Sequence, residues 1–343
     1  MKKFLLVISF TLGLPILLLL TIYIYTDPFC TIRDFDLSHA DETNREYQSM
    51  ELFLRNKDKY HYDSFVFASS RGTGINTYTW KMYLPDEAQQ YLFQAWSESL
   101  TGIELKLKYL YENNIPIRNA LVLIDIPGTF VENQLPHESI TLKHYLLTGQ
   151  PRWVYNGIHF YNYIQKASLW VESIKRKIDS VKSPFGSDSI TNDSYVTNRM
   201  DYAFLPPQDS LRSTSDKVRQ NFFAKIANKS TDDIQMSPKL IYDDFVYQLR
   251  NIKSIFEENN TNYQILITPG FCYTSQYINI ADLTMLKDIF GEDRVHDYSA
   301  PNDLNMDYNN FIDPSHFDLH TGFIMLQEIY TDTIVVQKYP HAL

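Results

Sequence analysis

From Phe4 to Tyr25 the chain reads FLLVISFTLGLPILLLLTIYIY, about 22 residues without a charge, directly behind Met1-Lys2-Lys3. As a helix this run is about 33 Å long, and a bilayer's hydrocarbon core is roughly 30 Å thick. Lys2 and Lys3 would stay on the cytoplasmic side, leaving the rest of the chain outside. A cleaved signal peptide has a shorter apolar stretch, about 7–15 residues, ending at a small-x-small site. Here the run ends in Thr26-Asp27-Pro28-Phe29, and Cys30 lacks the small residues that precede a lipidated cysteine. The reading is an uncleaved single-pass anchor over residues 1–26. Residues 27–343 then form an extracytoplasmic domain, and no later segment is long and apolar enough to span.

That domain is large enough for a substantial core. Of the 343 residues, 44% are hydrophobic and 15% aromatic. The net charge of −10, with no basic run, argues against nucleic acid as a partner, because the chain would repel phosphate. Cys30 and Cys272 are the only cysteines, too few for a disulfide framework, and their spacing suggests no metal. Nothing calls for a cofactor.

Three short apolar runs read as buried strands: Ser64–Ala68, Asn119–Asp125 and Tyr263–Thr268. Each stops at a polar turn: Ser69-Ser70-Arg71, Asp125-Ile126-Pro127-Gly128 and Thr268-Pro269-Gly270. Helices are expected around Glu51–Leu54, from Thr101 to Asn113, near Lys239–Glu258 and over Leu319–Tyr330, with a short strand at Arg294–Tyr298. Ile103, Leu107 and Leu110 share one face of the second helix, and Asn113-Asn114 and Asn259-Asn260 act as stops. Continuous apolar strands alternating with amphipathic helices predict an α/β fold, three-layer α/β/α, with a central mostly parallel sheet. Sites in such sheets form beyond the carboxyl ends of the strands, where the three polar turns should meet. Residues 134–236 interrupt the alternation and read as an insertion or lid. Its first part is aromatic and helical near Tyr161–Val181; its second, Ser183–Asn198, is loop-like.

A serine in a tight turn at a strand end is exposed and close to backbone N–H groups that could face an oxyanion. It still needs a base, and the base needs an orienting carboxylate. Most of the nine histidines have bland surroundings. The exception is Phe311-Ile312-Asp313-Pro314-Ser315-His316-Phe317, read as a helix-entry turn in which Asp313 reaches the His316 imidazole. His320 lies one turn further on. A zinc pair with His316 would need further ligands, and none stands out, so no metal site is expected.

Ala68-Ser69-Ser70 after a strand, with Asp313-x-x-His316 near the C-terminus, resembles the first and last motif blocks of the SGNH/GDSL hydrolase superfamily. The resemblance implies a flavodoxin-like sheet, with Ser70 as nucleophile, His316 as base and Asp313 as its orienter. It departs from the family in two places. Ala68 replaces the first glycine, and the Gly-x-Asn-Asp block, whose asparagine helps bind the oxyanion, has no counterpart. Asp125 stands near that place, and Ser97–Gly102 stands where the middle glycine block would fall. Arg71, Ser99, Gly102 and Asp125 are therefore the oxyanion or substrate candidates.

With its N-terminal run, the chain is similar to the bacterial inner-membrane proteins that assist D-alanylation of teichoic acid or O-acetylation of alginate. The implied function is a serine esterase or O-acyltransferase acting on cell-envelope polysaccharide. Its partners would be an acylated glycan or acyl donor and a membrane-bound acyltransferase. The competing expectation is an inactive SGNH-fold glycan-binding or scaffold protein beside such an acyltransferase.

Overall fold

The computed structural model describes residues 2–32, 44–131, 141–182 and 233–331. The chain divides into two units, Met1–Glu51 with Leu135–Asn192, and Leu52–Gln134 with Asp193–Leu343. The loop expected over Ser183–Asn198 falls outside the described residues.

The second unit is built on a five-stranded sheet: β1 (Ser64–Ala68), β2 (Gln90–Gln94), β3 (Asn119–Ile124), β4 (Asn262–Ile267) and β5 (Val295–Asp297). Every pairing is parallel, and the order is β2-β1-β3-β4-β5. This is the 2-1-3-4-5 order of a doubly wound sheet, in which the connections reverse direction between β1 and β3 and open a crevice above their carboxyl ends. β1 and β3 are buried at every position, as strands covered on both faces must be.

Alternate residues serve opposite faces. Val66, Ala68, Leu121, Leu123 and Leu266 pack with Trp80, Met325, Leu326 and Ile329. Phe65 and Phe67 instead stack with Phe93, and Phe53 packs edge-on against Phe65. The helices are α2 (Arg45–Tyr60, which carries the chain from the first unit into the second), α3 (Thr77–Lys81), α4 (Leu100–Glu112), and, later in the chain, Asp243–Glu258, Ile280–Phe290 and Leu319–Thr331. The asparagine stops act by backbone geometry: Asn114 and Asn260 adopt φ 55° and 52°, the left-handed region that asparagine tolerates.

The second unit differs from the sequence reading at several elements, among them the helix Ile280–Phe290, which was not expected. β2, the edge strand QYLFQ, has only three apolar residues between glutamines, too short a run to stand out. The segment around Asp313 is not a helix entry. β6 (Phe311–Asp313) and β7 (His316–Phe317) form an antiparallel hairpin. The last helix starts behind it, with Asp318 accepting hydrogen bonds from the Thr321 N–H and hydroxyl.

In the first unit, α1 spans Lys2–Thr26, with side chains described from residue 11 onward except residue 12. Among the described residues, no helix is long and apolar enough to cross a membrane. The aromatic part of the insertion forms α5 (Tyr145–Thr148), α6 (Arg152–Gln165) and α7 (Ala167–Lys182) rather than one helix near Tyr161–Val181. The break is at Lys166, whose backbone is extended. Trp170 secures the corner by donating its indole N–H to the Tyr163 carbonyl at 2.6 Å. Tyr23 of α1 packs among Phe29, Phe160 and Tyr163.

Candidate active site

β1 runs into a 3-10 turn, Ser70–Gly74. Ser69 caps it, its hydroxyl oxygen accepting the Arg71 N–H at 3.1 Å, while the Gly72 N–H bonds the Ser69 carbonyl. Ser70 is therefore the first residue of the turn and is partly exposed, whereas Ser69 is buried. The turn also fixes Ser70 from the side, since the Gln94 amide at the end of β2 donates to the Ser70 carbonyl at 3.3 Å.

The structure brings Ser70, His316 and Asp313 together. His316 Nε2 lies 2.8 Å from Ser70 Oγ, and His316 Nδ1 lies 2.7 Å from Asp313 Oδ2. A carboxylate on Nδ1 selects the tautomer with the proton there, which leaves Nε2 as acceptor for the serine hydroxyl. Asp313 uses its other oxygen differently: Oδ1 accepts the backbone N–H groups of Ser315 and His316 at 2.8 and 3.1 Å. One carboxylate thus shapes the hairpin turn and holds the ring. Burial works against ionising Asp313, but the bonds from the His316 ring and the two backbone N–H groups prevail and hold its carboxyl below the usual range.

The hairpin is held against the serine turn by close backbone approach. A Cβ on Gly74 would stand 2.3 Å from the Phe317 ring and 2.8 Å from the Phe317 carbonyl oxygen. One on Gly322, in the last helix, would stand 1.8 Å from the Gly74 carbonyl oxygen. From the other side, the loop after β4 docks the hairpin through the Phe271 N–H, which donates to the Pro314 carbonyl at 2.9 Å.

Arg71 and Asp125 belong to a buried network beneath the turn. The Ser69 hydroxyl and the Thr268 hydroxyl both reach the Asp125 carboxylate, the second at 2.7 Å. Arg71 donates through Nη1 to Thr268 Oγ1 at 2.9 Å, and its Nε is 3.9 Å from Asp125 Oδ1. The ends of β1, β3 and β4 are tied together by side chains, and both charged groups serve that tie. Ser99 and Gly102 are engaged elsewhere: Ser99 caps α4 by accepting the Gly102 N–H at 3.2 Å. Beside this cap, Glu98 forms a buried ion pair with Lys106. Neither Ser99 nor Gly102 is hydrogen-bonded to Ser70 or His316.

Thr268 entered the sequence reading only as a strand end, and the Gly74–Gly322 contact did not enter it. Thr268 carried the one available signal, a hydroxyl at the third strand end; two isolated glycines about 250 residues apart carried none. Cys30 and Cys272 are both free and buried. Among the described residues, no group of His, Cys, Asp and Glu could hold a metal ion. A comparison with models of known protein families found no match, and a comparison with characterised proteins found none either.

Proposed function

We propose that this chain is a serine esterase or O-acyltransferase of the SGNH type, anchored in the bacterial inner membrane by residues 1–26 and acting on acylated cell-envelope polysaccharide. The observation that carries this reading is the hydrogen-bond chain from Ser70 through His316 to Asp313 at the carboxyl end of a parallel sheet.

Ser70 Oγ attacks the acyl carbonyl carbon while its proton passes to His316 Nε2, and Asp313 stabilises the imidazolium that results. The Arg71 and Gly72 N–H groups are committed to Ser69. We therefore assign the Ser70 N–H as the backbone donor of this turn that meets the oxyanion. Collapse of the tetrahedral intermediate breaks the bond to the sugar oxygen, which takes the proton from His316 and leaves an acyl-Ser70 ester. Water or a second hydroxyl then attacks that ester, with His316 again accepting and returning the proton. The anchor favours transfer, with the acyl donor delivered by a membrane-bound acyltransferase; this preference rests on analogy with the family.

A second reading, an inactive glycan-binding or scaffold protein of the same fold, is favoured by one observation. Asp125 stands near the place of the family's oxyanion asparagine and is tied to Ser69 and Thr268. Labelling with a fluorophosphonate and turnover of an aryl acetate separate the two. The parent should label and turn over, and Ser70→Ala should lose the label and at least about 10³-fold in turnover. Equal rates for parent and variant, with neither labelled, would overturn the enzyme.

A further inference from the structure

α6 carries an apolar stripe at helical spacing, Trp153, Gly157 and Tyr161, with Trp153 76% and Tyr161 52% exposed. The stripe borders a groove of about 430 Å³ completed by Val154 and Ile158. A Cβ at Gly157 would meet nothing within 4 Å, so the glycine leaves this groove open rather than allowing a close contact. α7 exposes a second set, Val171, Ile174 and Ile178, again at helical spacing.

The position of these helices along α1 decides what they face. Leu20 and Tyr23, in the last two turns of the charge-free run, pack with Phe160, Tyr163, Leu169 and Trp170 of α6 and α7. Lys177 lies over the Tyr25 ring at 5.8 Å, where the run ends. If residues 4–25 span the bilayer, Leu20 sits about 8 Å below Tyr25 along the helix, so helices packed on both cannot stand clear of the headgroup layer. The charge agrees. In a chain of net charge −10, residues 166–182 carry Lys166, Lys175, Arg176, Lys177 and Lys182 against Glu172 and Asp179. Exposed Trp and Tyr on α6 and an excess of basic residues along α7 are together the composition of a helix pair lying in an anionic interface.

We propose that α6 and α7 form a membrane foot, lying in the outer headgroup layer of an anionic bilayer with Trp153 and Tyr161 inserted. The inference rests on the anchor reading above. It is tested with the full chain in phosphatidylcholine–phosphatidylglycerol vesicles, using acyl chains brominated near the headgroup or near the chain end. The Trp153 signal is the difference between parent and Trp153→Phe. Shallow bromines should quench it at least about twofold more than deep ones, as for an interfacial tryptophan. Gly157→Asp, which places a charge in the groove without a clash, should reduce that quenching; Gly157→Ala should not.

Equal quenching of parent and Trp153→Phe would overturn the foot, as would cross-linking of two copies through α6 in place of quenching. Alkaline carbonate extraction reads the anchor separately. Retention in the membrane without Trp153 quenching sinks the foot alone. Release denies the anchor, and absent quenching on vesicle-bound protein then sinks both.

Discussion

Asp313 and Asp125 are both aspartates at the same sheet edge, and their partners separate them. Asp313, with its side chain 48% exposed, gives one oxygen to the His316 ring and the other to the hairpin backbone. Asp313→Asn should keep the turn, since an amide oxygen can still accept the two N–H groups. It should lose the anion that orients the ring and balances the imidazolium, lowering turnover of an aryl acetate by on the order of 10³–10⁴ with little change in KM. A loss below tenfold would mean that His316 is oriented by something else.

Asp125 is buried, and its partners are side chains of other strand ends. Thr268→Val is close in volume and removes one hydroxyl, leaving the Arg71 Nη1 donor and Asp125 Oδ1 each without that partner. The expected cost is about 1–3 kcal/mol in urea unfolding of the full chain, with an unchanged m-value. Unchanged stability would show that the network does not hold the strand ends.

At the level of elements, the distance between nucleophile and base depends on how closely three backbones approach. The 3-10 turn, β7 and the last helix meet at Gly74, Phe317 and Gly322 with no room for a side chain on either glycine. Gly322→Ala adds one methyl group against the Gly74 carbonyl, so the last helix must move outward and the turn with it. Turnover should fall by about 10²-fold, the scale of a 1 Å misplacement. A crystal structure of the variant should show the 2.8 Å contact between Ser70 and His316 lengthened. Activity at the parental level would mean that the helix yields without disturbing the turn. The hairpin also explains why a spacing of three works outside a helix. An antiparallel turn pairs Asp313 with His316 across two strands and directs both toward the serine.

For the molecule as a whole, the division into two units predicts that acid acts on them separately. His159 of α6 is buried between the Phe29 and Tyr155 rings, and neither ring nitrogen has a partner among the described residues. Burial drives its pKa down to about 3, against an ordinary value of 6.5. The unfolded first unit therefore binds a proton that the folded one rejects. Stability from this group is full above about pH 6.5 and falls by about 1.4 kcal/mol for each pH unit between there and the folded value. Hydrogen exchange of α6 amides should quicken from pH 7 to pH 5 in the parent and stay flat in His159→Phe, while amides of β1 and β3 keep their protection. Equal acid sensitivity in the variant would place the cause elsewhere.

The apolar runs alone determined the parallel sheet, because a strand buried on both faces must be apolar throughout and ends where polar turns begin. They missed β2, whose burial comes from its neighbours rather than from its own composition. Ser70 and Asp313-x-x-His316 were legible as a nucleophile and an oriented base by residue type and order. Their convergence was not, because it depends on Gly74, Phe317 and Gly322 meeting across about 250 residues of chain. Likewise, Arg71 read equally well as a substrate group or a structural ion pair, and Asp125 read first as a strand-end residue; the structure ties both to Thr268, and Asp125 to Ser69 as well. Residue chemistry is a local property that a sequence carries directly. Distance between remote backbones is set by packing, and only the tertiary structure decides it.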